Sequence, residues 1–475
     1  VMSHGRTALG KIDASGEWDL APSDPAALSE GELEVADSSA ATQFCPLEQV
    51  ALTASGTEEA RALAPHIHPA VLTSLLAIAI TLNYSDRANI SVAILEMKPQ
   101  YGWTPVQEGI VMGGYLYGYV LSGVIGGACA DRVGGSAILQ IGVAGWSLFT
   151  ILTPLCAPYG IFSVVLCRAL MGLFEGLCFP SVHAIIGVHI PGRWLSLVTA
   201  IATAASYVGT IVGYWGSDVV LQFAKWPWCF YIFGGLGFVW IAVWRTFGVR
   251  DDAAVNGSMF VVPNFRDLFF SSRSAPVYVY CANFFAYSYA FYMVVSWMPE
   301  QLQARYDLPL GIVGIVSGLP SASQVIVSCL AGYVADRSVP HYGVARVRSF
   351  AQTLSMLGMG TGMVLFAVAG RELWLGMTWM CLALAFASIS VAGVSVFHFH
   401  LAPSRAGFLF GCGNTVGTVA GMVSVPLTGF LVERAADPTN PWVPYLLCAV
   451  ICYVAGLLWL CFARRAESLE WPPKK

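Results

Sequence analysis

The segment GACADR at residues 127–132 recurs as GYVADR at residues 332–337. Both segments read G-x-x-A-D-R, and each follows an apolar run long enough to cross a membrane. Chance supplies one such match easily, but it does not readily place two at equivalent points of a chain. The repeat therefore indicates a duplicated architecture, with the motif at the end of the second span of each half.

The apolar runs around this repeat predict transmembrane helices. The chain of 475 residues is 56% hydrophobic and only 11% charged, which is far less charge than a soluble domain carries. Twelve runs can cross about 30 Å of hydrocarbon, and within lipid only a helix satisfies the backbone of a single run. The predicted spans are residues 69–96, 106–130, 137–157, 160–190, 195–221, 227–247, 274–299, 310–335, 347–369, 373–399, 406–432 and 442–463.

A long polar linker after the sixth span divides the chain six and six. We assign residues 1–68 to a cytoplasmic tail, 69–247 to an N-terminal half, 248–273 to a cytoplasmic linker with an amphipathic helix, 274–465 to a C-terminal half and 466–475 to a second cytoplasmic tail. The first tail carries eleven acidic and three basic residues and few aromatics, a composition that predicts disorder.

The basic residues predict the orientation of the chain. Of the 21 that follow the acidic tail, 14 fall in loops and ends on the side of both termini and five on the opposite side. Basic loops stay in the cytoplasm, so we expect a multi-pass membrane protein with both termini there. The composition favours neither the plasma membrane nor an organelle. The two basic residues left over, Arg87 and Arg168, lie within spans.

No motif for chemistry competes with transport. The chain has no G-x-x-x-x-G-K-[ST] phosphate loop, no G-x-G-x-x-G and no Cys/His cluster with metal-ligand spacing. Its thirteen cysteines are mostly scattered singly through the spans, as packing residues are. We predict no enzyme activity, no cofactor, no metal and no nucleic-acid partner.

Four charged side chains lie deep in the spans of the first half: Asp86, Arg87, Arg168 and Glu175. Each costs about 2.5–3.5 kcal/mol near the centre of a membrane helix, so they must be paired or solvated. One interpretation is an ion-pair clamp between helices, and the other is a polar cavity for an anion. We favour the cavity, because the second half has no comparable charges and a clamp that the fold required should recur there.

Helix geometry brings these groups to one place. Arg168 and Glu175 are two turns apart on one helix face, whereas Asp86 and Arg87 are consecutive and point about 100° apart. Tyr84 lies on the same side of its helix as Arg87. An arginine can bind an anionic group through two hydrogen bonds, and a buried acid beside it can carry the proton. The pattern therefore indicates a proton-coupled anion carrier.

Several segments resemble the major facilitator superfamily and, within it, the anion:cation symporter family. They are NYSDRANISVAI (83–94), GYLYGYVLSGVIGG (114–127), RALMGLFEGLCFPSVHAI (168–185), SYVGTIVG (206–213) and GNTVGTVAGMVSVPLTGFL (413–431). That family includes sialin, vesicular glutamate transporters, plant plastid phosphate and ascorbate transporters and bacterial galactonate-type carriers. The resemblance implies the major facilitator fold, with twelve transmembrane helices in two pseudo-symmetric six-helix halves.

The resemblance also implies roles for individual residues. Arg87 and Arg168 would engage the substrate anion, and Asp86 and Glu175 would be the proton-coupling acids. Asn414 would hydrogen-bond the substrate, although a polar residue that helps a glycine-rich helix to pack is the alternative.

In the loop signature of the superfamily, the glycine allows helices to approach closely, and the aspartate and arginine bridge helix ends. The gating and structural residues implied in this way are Gly127, Asp131, Arg132, Gly332, Asp336 and Arg337. The first copy continues DRVGGSAIL, without the basic residue that is usual after the glycines, so its latch is expected to be weaker.

Three departures from relatives bear on the substrate and the gate. Met112 stands where vesicular glutamate carriers have histidine and Tyr287 where they have arginine, which argues against glutamate. The hydroxyl of Tyr287 is expected to line the cavity, with simple packing as the alternative. His400 replaces an aspartate and could form a cytoplasmic gate that titrates near neutral pH, unless it is a surface histidine.

These observations together predict a secondary active transporter. It would move an organic acid, an acidic sugar or phosphate by alternating access, coupled to protons or sodium. The alternatives are an uncoupled uniporter of a small solute and an anion channel. We expect the partners to be the small anion and the lipid bilayer, and the protein to be a monomer.

Overall fold

The computed structural model describes residues 67–190, 192–249, 275–401, 406–437 and 442–462. Nearly all of the predicted tail 1–68 and linker 248–273, with its amphipathic helix, lies outside these ranges, as does the tail 466–475. Within them the chain forms fourteen α-helices. They are α1 Pro69–Tyr101, α2 Pro105–Val133, α3 Gly135–Cys156, α4 Ile161–Glu175, α5 Cys178–His189, α6 Gly192–Phe223, α7 Pro227–Phe247, α8 Ala275–Tyr306, α9 Val313–Tyr342, α10 Val344–Val368, α11 Leu373–Ser388, α12 Val394–Leu401, α13 Ala406–Glu433 and α14 Trp442–Phe462.

The helices form the twelve predicted transmembrane segments. Nine segments of the described chain are long and apolar enough to cross a membrane, and α4 with α5, like α11 with α12, counts as one of them. The helices α1, α2 and α8 have 33, 29 and 32 residues, which is ample length for the same purpose. Two of these three carry the polar stretches that the sequence assigned to a site, NYSDR in α1 and the tyrosines of α8. The all-α fold with twelve spans is confirmed.

Small residues let the helices around the predicted site approach closely. The helix α2 packs on α4 within the first half, and α1 packs on α6. A Cβ atom at Gly172 would lie only 1.8 Å from the carbonyl oxygen of Tyr115, so the backbones of α2 and α4 are in direct contact there. In lipid, where helices gain little from burying apolar surface, such contact is a main source of attraction. It fixes α2 against the helix that carries Arg168 and Glu175.

The fourth span breaks immediately after Glu175. The amide of Gly176 donates to the carbonyls of Gly172 and Phe174, and α5 begins at Cys178. Pro180 has no amide hydrogen to donate back to residue 176, so the regular ladder cannot continue through this point. Glu175 therefore sits at the end of a helix in mid-span rather than within an uninterrupted one.

The two halves are hydrogen-bonded to each other at one end of the bundle. We call this the Lys98 end, because Lys98 lies there in the last turn of α1. The amide of Gly311, just before α9, donates to Asp218 Oδ1 at 2.9 Å, and Trp215 Nε1 donates to the carbonyl of Ile315 at 3.1 Å. Both bonds join α6 of the first half to the start of α9 in the second. The Lys98 end, which the charge pattern predicts to be non-cytoplasmic, is closed.

Candidate functional site

An ion pair between α1 and α4 lies at the centre of the first half. Arg87 Nε donates to Glu175 Oε2 at 2.8 Å, and both side chains are buried. The Nη1 and Nη2 atoms of Arg87 and the Oε1 atom of Glu175 have no hydrogen-bond partner among the described residues. Leaving buried donors unpaired costs free energy, and a charged group makes this cost larger. The outer edge of the Arg87 guanidinium is thus buried without a hydrogen-bond partner in the described part of the chain.

Three tyrosine rings surround this guanidinium. Its Cζ atom lies 4.5 Å from the ring centroids of both Tyr84 and Tyr119 and 5.3 Å from that of Tyr115. Tyr115 and Tyr119 are one turn apart on α2 and so present their rings from the same face. Cation–π contacts of this kind attract the charge without supplying a hydrogen-bond acceptor. They hold Arg87 in place and leave its Nη1 and Nη2 atoms without a hydrogen-bond partner among the described residues.

Arg168 and Asp86 complete the cluster. Arg168 is fully buried, and its Cζ atom lies 5.7 Å from the Tyr115 ring. Its Nη1 atom contacts the sulfur of Met171 at 4.0 Å, and its Nε and Nη2 atoms have no hydrogen-bond partner in the described part of the chain. Neither oxygen of Asp86 makes a well-aligned short hydrogen bond there, although the Thr150 hydroxyl, Arg168 and Glu175 are its polar neighbours.

The structure therefore brings the four predicted charges together. Arg87 and Glu175 touch directly, and Asp86 and Arg168 lie within electrostatic reach of the same carboxylate. Two guanidinium groups and two carboxylates have no net charge when all four are ionised. One added proton makes the cluster positive, and a bound anion restores neutrality.

Tyrosines of α1 and α8 lie near this cluster. Tyr84, Tyr287 and Tyr292 are each partly buried, and the ring centroids of Tyr292 and Tyr115 are 6.5 Å apart. The predicted role of Tyr287 in lining a cavity stays a prediction. The hydroxyls of Tyr287 and Tyr207 are 3.4 Å apart, a contact that joins α8 to α6 across the two halves.

Asn414 lies on α13, in the second half. It is partly buried, and its carbonyl accepts a hydrogen bond from the Thr418 hydroxyl at 2.9 Å. Within the described residues no hydrogen bond joins Asn414 to the charged cluster. The flanking Gly413 packs against the ring of Phe284 on α8. Its predicted contact with substrate stays a prediction.

The first copy of the loop signature lies in the last turns of α2. The backbone there is helical, but the side chains of Gly127, Asp131 and Arg132 lie outside the described part of the structure. Their predicted bridging contacts therefore stay predictions.

The second copy of the signature lies in α9. Asp336 and Arg337 are exposed, and the guanidinium carbon of Arg337 is 5.6 Å from the ring of Tyr333. A Cβ atom at Gly332 would meet nothing within 4 Å, so this glycine is not in close contact with a neighbouring helix.

The two histidines of the tenth span lie in α12. The side chain of His400 lies outside the described part of the structure. His398 is buried, with its ring centroid 5.2 Å from that of Phe410 and 6.4 Å from that of Tyr280. His398 is thus not a surface histidine, whereas the gating role of His400 stays a prediction.

Tyr115 and Tyr119 are members of the site that the charges of the spans did not predict. Their signal was present in GYLYGYV, because two tyrosines four residues apart share a helix face. Lys98, one of the five basic residues on the side opposite the termini, was not predicted to have partners either. In the structure Lys98 binds Glu108 and Glu300, which lie on other helices. No local sequence pattern predicts such partners, and Glu300 is 202 residues away from Lys98.

Comparisons with known proteins agree on one family. The family model described as Major Facilitator Superfamily matches residues 76–424 and 280–475. The chain is 30% identical to the probable chloroplastic anion transporter 2 of Oryza sativa subsp. japonica, over 77% of this chain and 71% of that protein. It is 28% identical to the chloroplastic sodium-dependent phosphate transport protein 1 of Arabidopsis thaliana, over 84% and 80%.

The fold is also similar to solved structures. A bacterial homolog of the human lysosomal transporter Spinster, in an inward-facing and occupied conformation, superposes with a TM-score of 0.69. The alignment covers 85% of this chain and 98% of that one, at 14% identity. At this identity the likeness concerns the fold alone.

Proposed function

Because the chain belongs to the Major Facilitator Superfamily and is similar over most of its length to anion transporters, we propose that it carries a small anion by proton-coupled alternating access. The observation that supports this most directly is the Arg87 guanidinium, whose Nη atoms are unpaired while its Nε atom binds Glu175. Arg87 has one anionic partner and the hydrogen-bonding capacity for a second.

Competition at Arg87 provides the coupling. With substrate bound, the buried Arg87 guanidinium would have two anionic partners, Glu175 and the substrate. These two anions repel each other, and together they leave a net negative charge inside the membrane, where an unpaired charge is costly. A proton on Glu175 removes that charge, so the substrate anion and the proton bind together. When both leave, Glu175 returns to Arg87 and the empty carrier has its buried charges paired again. Asp86 and Arg168 would form a second pair of the same kind beside it.

The surrounding rings favour an anion with an organic body. Tyr84, Tyr287 and Tyr292 offer apolar ring faces with hydroxyls at their edges, which suit an organic acid or an acidic sugar. Phosphate has no apolar surface to place against them. We therefore rank the organic acid and the acidic sugar ahead of phosphate within the predicted class.

Purified protein in proteoliposomes tests the proposal. Uptake of radiolabelled ascorbate, sialate and phosphate is measured with an imposed proton gradient, with a sodium gradient and with neither. Saturable uphill uptake driven by the proton gradient supports the proposal. Uptake driven by sodium alone, equilibrating uptake without any gradient, or flux that stays linear with concentration would instead indicate a sodium symporter, a uniporter or a channel.

The variant Glu175→Gln sharpens this test. A glutamine cannot gain or lose the coupling proton, so we expect it to abolish accumulation driven by the pH gradient while exchange between internal and external substrate continues. The matched control is Glu372→Gln, which changes an exposed acid outside the site and should behave as the wild type does. Unchanged accumulation in Glu175→Gln would remove Glu175 from the coupling role.

The orientation and the oligomeric state are further parts of the proposal. Both termini in the cytoplasm would make terminal epitope tags accessible to antibody only after the cells are permeabilised. A monomer would elute from size exclusion in detergent at the mass of one chain plus its micelle, which light scattering measures directly.

A further inference from the structure

A second charged cluster closes the Lys98 end of the bundle. Lys98 Nζ lies 2.9 Å from Glu300 Oε1 on α8 and 2.7 Å from Glu108 Oε1 on α2. It is eleven residues beyond Arg87, or about 16 Å along α1, so it is separate from the central cluster. Lys98 and Glu108 belong to the first half and Glu300 to the second. The Lys98 ammonium group thus pairs with two acids, and only its pair with Glu300 joins the two halves.

The three groups differ in their access to water. The Lys98 side chain is 36% exposed, whereas Glu300 is 10% exposed and Glu108 has no exposed surface. Lys98 donates a well-aligned hydrogen bond to Glu300, but its contact with Glu108 is an ion pair without hydrogen-bond alignment. Neither oxygen of Glu108 has a hydrogen-bond partner among the described residues, and neither has Glu300 Oε2. The innermost acid, Glu108, therefore depends on its ion pair with Lys98, and its Oε2 atom has no hydrogen-bond partner in the described part of the chain.

Among the described residues no second cation forms an ion pair with these acids. The other charged or titratable side chains near this end are Glu96, Tyr101, Asp218, Lys225, Arg305, Tyr306, Asp307, Arg371, Glu372, Glu433, Arg434 and Tyr445. Of the cations, Arg305 donates to the carbonyls of Gly370 and Phe366, Arg434 lies over the Phe430 ring, and Lys225 and Arg371 are exposed. With both glutamates ionised, the cluster holds two negative charges against one positive charge.

We propose that the closed gate holds one proton between Glu108 and Glu300. The Oε1 atoms of the two carboxyl groups contact the same Lys98 Nζ atom, at 2.7 Å from Glu108 and 2.9 Å from Glu300, so the two acids share one site. Two oxygens of ionised carboxylates cannot hydrogen-bond, whereas a protonated Glu108 can donate to Glu300, which also accepts from Lys98. Carboxylates that share a site in this way hold one proton as a pair. The proton brings the cluster to zero net charge and satisfies the buried acid.

Opening of the Lys98 end would release this proton. The inference rests on the alternating access proposed above, in which the halves separate at this end. Glu300 would then leave with the second half, while Glu108 and Lys98 remain together as an ordinary ion pair of the first half. The gate proton would pass to water, to which Lys98 is already exposed. A proton bound only when the gate is closed means that acid stabilises the closed gate and alkali favours its opening.

Infrared spectroscopy of the whole protein in phosphatidylcholine nanodiscs tests the inference without any substrate. A protonated carboxyl group gives a C=O stretching band that a carboxylate lacks. The wild-type protein should show such a band at neutral pH and lose it on alkalinisation. Glu108→Gln should remove it, and so should Glu300→Gln, because a lone Glu108 is ionised beside Lys98. Lys98→Met should keep the band to higher pH than the wild type does.

Glu96→Gln and Glu433→Gln are matched controls. These acids lie at the same end and accept backbone hydrogen bonds from Trp226 and Val106, so their variants should keep the band. Glu300 is partly exposed, so its variant serves if the change at the fully buried Glu108 prevents folding. A full wild-type band in either Glu108→Gln or Glu300→Gln overturns the proposal. Because Glu175→Gln affects only the central cluster, this outcome is distinct from a failure of the transport mechanism.

Discussion

The contact between α2 and α4 gives a prediction whose size follows from the structure. In Gly172→Ala, the new Cβ atom would lie 1.8 Å from the Tyr115 carbonyl oxygen, whereas ordinary contacts begin at 3.4 Å. The two helices must therefore separate by about 1.6 Å, or their side chains must rearrange by as much. Overpacking of this kind costs about 1–3 kcal/mol of stability.

The larger effect is expected on transport. Gly172 lies one turn after Arg168 and one turn before the break at Gly176, while Tyr115 packs on the Arg87 guanidinium. Separation of α2 from α4 displaces this tyrosine from both arginines. A misplacement of about 1 Å can cost about 100-fold in the rate of a process that needs precise geometry. We therefore expect Gly172→Ala to lower substrate uptake by about that factor while the protein still folds.

The assay compares Gly172→Ala with Gly235→Ala, a change of the same type within α7. A Cβ atom at Gly235 meets no atom within 4 Å, so this control keeps its uptake and gains a little helix stability. Thermal melting in detergent and initial uptake rates in proteoliposomes are measured for both variants. The same melting temperature and uptake in Gly172→Ala as in Gly235→Ala would contradict the prediction.

Three further predictions concern contacts around the site and the gate. Tyr119→Leu removes a cation–π contact worth about 0.5–2 kcal/mol, so the apparent KM for substrate should rise about 2- to 30-fold in uptake assays, and Tyr117→Leu on another face of α2 should change it little. Arg87→Lys cannot bind Glu175 and a bidentate anion together, so uptake at low substrate should fall about 10-fold or more, and a value near the wild type would count against the proposed role. Asp218→Ala removes the acceptor for the Gly311 amide, so hydrogen–deuterium exchange of residues 307–318 should speed up, whereas unchanged exchange would show that this bond does not hold the gate.

The charged cluster could be predicted because its cause is local. A charge in a membrane helix is expensive wherever it lies, so the four charges had to find partners, and helix periodicity places Arg168 and Glu175 on one face. The break after Glu175 could not be predicted in the same way. Apart from Arg168, Glu175 and His183 the run RALMGLFEGLCFPSVHAI is mostly apolar, and its hydropathy does not record where a helix ends within it.

The Lys98 cluster escaped prediction for a different reason. Lys98 and Glu300 are each near the end of a span, where a charged residue costs little and needs no partner. Their pairing depends on the registers of α1 and α8, which lie in different halves. The periodicity of one helix does not determine how close its residues lie to those of another helix. Tyr115 and Tyr119 of α2 are intermediate between the predicted charged cluster and the unpredicted Lys98 cluster. Their spacing indicates a shared helix face, but their cationic partner Arg87 lies on another helix.

The two charged clusters differ in a way that separates binding from gating. Arg87 and Glu175 both belong to the first half, so rocking of the halves need not change their 2.8 Å contact, and only a ligand or a proton can release it. Lys98 and Glu300 belong to different halves, so their contact lasts only while the Lys98 end is closed. Protonation at the centre should therefore follow the substrate, whereas protonation at the gate should follow the conformation. Glu175 at the centre and the Glu108–Glu300 pair at the gate would thus change their protonation at different steps of one transport cycle.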